Sequence, residues 1–422
     1  MPANIQRAVL DNGLIILTER LPHVRSISLG IWIKSGSRHE SPEQNGISHF
    51  LEHLLFKGTR NRNAQQIAMD IDSMGGQLDA FTSREYVGFY AKILDEHLRD
   101  AFELLSEIVL HPRFPAAEVE RERNVICEEI NMTEDAPADL VHDIFTENFW
   151  RGHSLGRPIS GTKAIIKSLS RQSIAAFFRK VYAPSNMLVV AAGHLQHEEI
   201  VDLAQRHFGS QRSSRNGLVS GAPQVFKSLK IRHKRELEQS HICLGTIAPP
   251  LSSEQRYAAS VLSNVLGGGL SSRLFQNIRE KRGLAYAIFS SLNLYKDAGM
   301  LMIYAGMARE SVPLVIDLIL QECRTLCSKP VHEDELKRAK ENIKGALVLG
   351  LESTSSHMTH LAQQEIYFRR CHALKEILGR VEHVTREDLV GVARDMLQDK
   401  YLSLAAIGNL EGIKVEMPRL HG

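Results

Sequence analysis

The sequence predicts an α+β fold of two homologous domains, each a mostly antiparallel sheet flanked by helices. Three observations predict it. The chain has 422 residues, more than one hydrophobic core usually holds. Segments recur at a nearly constant offset of about 210 residues, the mark of an internal duplication. LVVAAGHL from Leu188 resembles LSLAAIGNL from Leu402, GIWIK from Gly30 resembles HICLGT from His241, and GISHFLEHLLFKG from Gly46 has a counterpart in RYAASVLSNVLGGG from Arg256. Between these halves, QRSSRNGLVSGAP at 211–223 has the composition of a linker. The domains are therefore expected at 1–212 and 229–422, joined by a linker at 213–228.

The elements follow in order. Val9-Leu10, the turn residues Asp11-Asn12-Gly13 and then Leu14 to Leu17 read as a β-hairpin. Ser26 to Lys34 is a second strand signal. Asn45-Gly46 interrupts the chain before a helical stretch that ends at Gly58. Gly75-Gly76 leads into QLDAFTS, Gln77 to Ser83, and then into YVGFYAKIL, two further strands. A helix is expected from Asp95, a good N-cap residue, to Val109, and another from Ala116 to Thr133. Met187 to Ala192 is the strand that closes the first domain. In the second domain, Gly267 to Gly269 lack the Lys-Ser/Thr sequel of a phosphate-binding loop and read as a helix C-terminal stop.

Lys plus Arg number 51 and Asp plus Glu 49, a balance that offers no electrostatic reason for a nucleic-acid partner. No apolar run approaches a membrane span, and the N-terminus lacks the features of a targeting segment. The five cysteines include no CxxC pair. Cys323 and Cys327, four apart, read as helix core, and a reducing cytoplasm is the expected compartment.

The chemistry concentrates in His49-Phe-Leu-Glu52-His53. His49 and His53 are i and i+4, so one helical face presents both imidazoles, with Glu52 on the same side facing the position of a water. Catalytic zinc takes three protein ligands and leaves a fourth position for water, so a further ligand is needed. The segment from Glu118 to Glu129 holds several carboxylates. At about 100° per residue, Glu129 lies within roughly 20° of Glu122, with Val125 and Ile126 flanking the pair, while Glu128 lies about 120° away. Buried unpaired carboxylates are costly. Zinc ligation accounts for Glu129, and orientation of a ligand accounts for Glu122. His142, His153, His357 and His360 lack the HxxEH spacing. The counterpart helix, Ala259 to Leu266, has no His and no Glu, so one Zn2+ per chain is expected.

HFLEHLLFKGT followed by RNVICEEINMTEDAP resembles the pitrilysin-type inverzincins, and among them the bacterial relatives of mitochondrial processing peptidase (its beta subunit). GGQLDAFTSRE, GHSLGRPISGT, GGGLSSRLFQNIREKRGLAY and LGLESTSSHMTHLAQQE extend the resemblance over nearly the whole chain. It implies a LuxS/processing-peptidase-like metallopeptidase fold and a zinc metalloendopeptidase acting on unfolded or extended peptides. It maps the ligands onto His49, His53 and Glu129, the catalytic base onto Glu52 and the acidic neighbour onto Glu122. It also maps an Arg and a Tyr that hold substrate and oxyanion onto Arg279 and Tyr286. The resemblance further implies that Asp79, Ala80, Phe81 and Thr82 form an edge strand to which substrate adds, though relatives often carry Asn at the position of Asp79. Four such domains enclose the peptide in that family. This chain supplies two, so a homodimer is expected, with Arg279 and Tyr286 facing the partner's metal. The alternative is a non-catalytic core or regulatory subunit of a heterodimer, but such relatives typically lose part of HxxEH, which is whole here.

Overall fold

The computed structural model describes residues 4–213 and 221–420. Residues 214–220, inside the expected linker, lie outside the described residues. The first half runs β1 (Ile5–Val9), β2 (Ile15–Arg20), β3 (Ser26–Ile33), α1 (Ile47–Leu55), α2 (Ala64–Ser73), β4 (Gln77–Thr82), β5 (Val87–Leu94), α3 (Leu98–Leu110), α4 (Ala116–Asp135), α5 (Pro137–Phe149), α6 (Lys163–Ser168), α7 (Arg171–Val181), β6 (Met187–Gly193) and α8 (His197–Phe208). The second runs β7 (Leu229–His233), β8 (Gln239–Ala248), α9 (Arg256–Gly267), β9 (Ala287–Leu294), β10 (Gly299–Ala308), α10 (Val312–Ser328), α11 (Glu333–Gly350), α12 (Thr354–Phe368), α13 (Leu374–Glu382), α14 (Arg386–Met396) and β11 (Ser403–Gly408).

The sheets carry the duplication. The first has the order β1-β2-β6-β3-β5-β4 and the second β7-β11-β8-β10-β9. Beyond the extra β1, the orders match strand for strand. In each sheet one pair is parallel, β2 with β6 and β7 with β11, and the others are antiparallel. β6 is buried at every position. Its Met187, Val189 and Ala191 face one core while Leu188, Val190 and Ala192 face another. Such a strand reads as a continuous apolar run because both faces are covered.

The compact units differ from the linear halves 1–212 and 229–422. One comprises residues 1–131, 157–221 and 349–373, the other 132–156, 222–348 and 374–422. Two helices have changed places. α12, from the second half, covers the first sheet through Met358, Leu361 and Ala362, against Leu17, Trp32, Leu188 and Val190. α5, from the first half, covers the second sheet through Val141, Ile144 and Phe145, against Cys243, Met302 and Ile407. Both helices use an apolar stripe, and the stripe does not say which sheet it covers.

α3 starts later than expected. Asp95 opens a short 3₁₀ turn ahead of Leu98, and its carboxylate accepts hydrogen bonds from Arg25 and pairs with His194. Cys323 is fully buried on α10 and all five cysteines are free thiols. Gly268 caps the C-terminus of α9. Among the described residues, no helix is long and apolar enough to cross a membrane.

Candidate metal centre

α1 is two and a half turns long and amphipathic. Ile47, Phe50, Leu51, Leu54 and Leu55 are fully buried, each contributing about 1.5–3 kcal/mol relative to exposure. That stripe anchors the helix and turns His49, Glu52 and His53 to the opposite side. Gly46 begins the helix at φ 94°, and a Cβ there would lie 2.7 Å from the Ser160 carbonyl oxygen, so the position requires glycine.

α4 brings the carboxylates. Glu122 is buried at 2% exposure, and Glu129 points its carboxylate at both imidazoles. Its Oε2 lies 3.7 Å from His49 Nε2 and 3.6 Å from His53 Nε2. Among the described residues, His49, His53 and Glu129 form the one group of three His, Cys, Asp or Glu ligand atoms within 4.8 Å of one another. Tetrahedral zinc with bonds near 2.0–2.1 Å sets its ligand atoms about 3.3 Å apart, and the two Glu129–His separations, 3.7 and 3.6 Å, lie within a few tenths of an ångström of that spacing, so the donor set fits zinc. The expected inward face of α4 needs one correction. Ile126 is buried, but Val125 is 40% exposed, because Glu129 lies at the rim of the centre rather than inside the core.

Surrounding contacts orient and neutralise these side chains. His53 Nδ1 lies 3.1 Å from Glu122 Oε2, and Lys57 Nζ lies 2.9 Å from Glu122 Oε1. The buried Glu122 carboxylate is thus charge-compensated, and it accepts from the Nδ1–H of the His53 tautomer that leaves Nε2 free. The His49 pKa is pushed down to about 4, first by burial and then by the neighbouring His53 imidazole, which disfavours a second positive charge beside it, so the His49 imidazole is neutral as ligation requires. Burial raises the Glu52 carboxyl, and the Thr82 hydroxyl, which donates to Glu52 Oε2 at 2.6 Å, opposes that shift. Glu52, on the same helix that carries His49 and His53, is therefore held by Thr82, with its carboxyl raised by burial.

Two protein-family models cover most of the chain. Residues 15–163 match the insulinase model of peptidase family M16, and residues 168–343 match the peptidase M16 inactive domain. The chain belongs to peptidase family M16. A Bacillus subtilis relative named as an uncharacterized zinc protease, YmxG, is 40% identical over 94% of this chain and 97% of its own length. A Mycobacterium tuberculosis relative, also named as an uncharacterized zinc protease, is 38% identical over 98% of this chain and 95% of its own. Two solved structures share the M16 fold. A protease from Helicobacter pylori has a TM-score of 0.89 at 24% identity, over 96% of this chain and 99% of that one. A peptidase M16 inactive domain from Pseudomonas fluorescens has a TM-score of 0.90 at 18% identity, over 99% and 100%.

The remaining expected M16 site residues fall in two places. Among the described residues, β4 lies at the edge of its sheet, paired to β5 alone. Its side chains alternate. Ala80 packs toward the α1 core and Thr82 reaches Glu52, whereas Phe81 stacks edge-on against Trp32 at 5.4 Å and Asp79 accepts from Tyr90 at 3.1 Å on the other face. Arg279 and Tyr286 belong to the second compact unit. Arg279 sits in a π-helical turn, Phe275–Glu280, with its guanidinium 4.8 Å from the Phe275 ring centroid. The Tyr286 ring is 62% exposed, so it is not a core tyrosine. Lys57 and the Thr82–Glu52 bond were not legible beforehand. A lysine just past the end of a helix carries no sign of a carboxylate on α4, and the edge-strand argument for Thr82 concerns its backbone.

Proposed function

We propose that this M16 protein is a zinc-dependent metalloendopeptidase that cleaves unfolded or extended peptides. The observation that carries this reading is the convergence of His49, His53 and Glu129, with the Nε2 atoms of both imidazoles turned to a Glu129 oxygen and Glu52 on the same face of the same helix. One zinc ion per chain is held by these three residues. Bound zinc lowers the pKa of water to about 7 and polarises a carbonyl. Glu52 takes the proton of the attacking water and delivers it to the leaving amine. Glu122 keeps His53 oriented. Backbone groups of the edge strand, Asp79 to Thr82, pair with the extended substrate, and Arg279 and Tyr286 stabilise the oxyanion.

The working unit in this proposal is a cytoplasmic C2 homodimer in which Arg279 and Tyr286 serve the partner's metal. The five free thiols support a reducing compartment. Stripping zinc with a chelator is expected to abolish cleavage of a quenched peptide, and one equivalent of zinc per chain is expected to restore it. Cleavage that persists in the stripped protein overturns the proposal. For the dimer, Glu52→Gln chains mixed with Arg279→Ala chains are expected to regain activity that neither has alone. Size-exclusion chromatography that yields an active monomer overturns it.

A further inference from the structure

Glu40 precedes the metal-ligand helix by a few residues and is 4% exposed. Its Oε2 accepts the Gly46 N–H at 2.8 Å and the Asn45 side-chain amide at 3.2 Å, and its Oε1 accepts the Ser48 N–H at 2.8 Å. Those donors stand at the start of α1, where the first N–H groups of a helix have no partner within it. A buried carboxylate there satisfies them and faces the positive end of the helix. Asn45, itself buried, also donates to the Pro158 carbonyl at 2.9 Å, and the Glu40 carbonyl accepts from Arg157 at 2.8 Å. Glu40 is therefore fastened at both its main chain and its side chain.

The two imidazoles differ in what orients them. His53 has Glu122 on its Nδ1. His49 Nδ1 is buried with no hydrogen-bond partner among the described residues. The His49 ring has a Glu129 oxygen 3.7 Å from its Nε2 and an edge contact with the His53 ring at 4.7 Å, but no acceptor on Nδ1 to orient it as Glu122 orients His53, so the aim of its Nε2 depends on the backbone that carries it. In that backbone the residue before His49 is Ser48, whose N–H Glu40 holds.

We infer that Glu40 is a positioning residue of the metal centre, clamping the first turn of α1 so that His49 meets the ion that His53 and Glu129 also hold. The inference rests on the zinc reading proposed above. Glu40→Gln replaces an acceptor oxygen with an amide NH2 that opposes one of the N–H donors. Partners that hydrogen-bond a ligand directly change metal affinity about 10- to 100-fold; Glu40 acts through the backbone one residue from His49, so the low end of that range, about tenfold, is expected.

The test measures the zinc dissociation constant of the full chain by chelator competition, beside the melting temperature of the metal-free protein. The control is Ile200→Ala, a fully buried position on α8, which packs on β2 and α3. Glu40→Gln is expected to weaken zinc about tenfold, while Ile200→Ala, with an equal or larger fall in melting temperature, stays within threefold of wild type. Wild-type affinity in Glu40→Gln, or equal weakening in the control, overturns the inference. Should Glu40→Gln fail to fold, Asn45→Ala removes one donor and is expected to weaken zinc at least threefold, and unchanged affinity there overturns it equally. A wild-type chain that binds no zinc overturns the zinc reading itself, whereas tight wild-type binding with an unaltered Glu40→Gln overturns the role of Glu40 alone.

Discussion

Thr82→Val replaces the hydroxyl that holds Glu52 with a methyl of nearly the same size. The hydroxyl donates at 2.6 Å to Glu52 Oε2, and β4 keeps its backbone pairing to Val87 whatever the side chain. A hydrogen bond to a charged group contributes about 1.5–3 kcal/mol. Both residues are half-buried, so water replaces part of the lost bond, and about 1–2 kcal/mol remains. That corresponds to a fall in kcat of roughly 5- to 30-fold. Substrate pairing to the edge strand uses backbone groups, so KM should change little. Zinc content should not change, because Thr82 touches none of the three ligands. Steady-state cleavage of a quenched peptide reads both constants. Thr82→Ser, which returns the hydroxyl, should recover most of kcat. A Thr82→Val enzyme at wild-type kcat, or a Thr82→Ser enzyme as slow as Thr82→Val, refutes the reasoning.

Other consequences follow from buried charge. Arg38 and Glu85 form an ion pair at 2.6 Å with side chains 3% and 7% exposed. Arg38→Met leaves the Glu85 carboxylate buried without that guanidinium, and should destabilise the fold by about 3–5 kcal/mol, read as a lower melting temperature in calorimetry. A shift within error contradicts it. His357 Nδ1 lies 3.0 Å from Glu19 Oε2, and that hydrogen bond raises the His357 pKa above its ordinary value. A raised folded-state pKa contributes stability that is complete below the unfolded value of about 6.5 and is lost as pH rises through the folded value. The melting-temperature gap between wild type and His357→Ala should therefore be largest near pH 6 and narrow toward pH 9. A gap that widens with pH would count against the pair.

Much of this was legible from local pattern. The hairpin at Asp11-Asn12-Gly13, the paired strands around Gly88, the helix carrying His49 and His53, and the phase that sets Glu129 with Glu122 all depend on neighbours within two turns or two strands. The missing parts are relations between distant residues. The exchange of α5 and α12 could not be read, because an apolar stripe covers either sheet equally well. Asp95 has the chemistry of an N-cap, but Arg25 and His194 claim its carboxylate. Val125 faces outward because the helix carrying Glu129 runs along the rim of the site. Glu40, Lys57 and the Thr82 hydroxyl act through contacts that no spacing rule encodes.

The central claim is that Glu52 moves the proton while His49, His53 and Glu129 hold the metal. Metal analysis and peptide cleavage on wild type and Glu52→Gln, measured side by side, test it most directly. The account predicts one zinc per chain in both proteins and loss of cleavage by at least about 100-fold in the variant, the lower range of a general base. A Glu52→Gln protein that cleaves at the wild-type rate, or a wild type that cleaves without bound zinc, would contradict it.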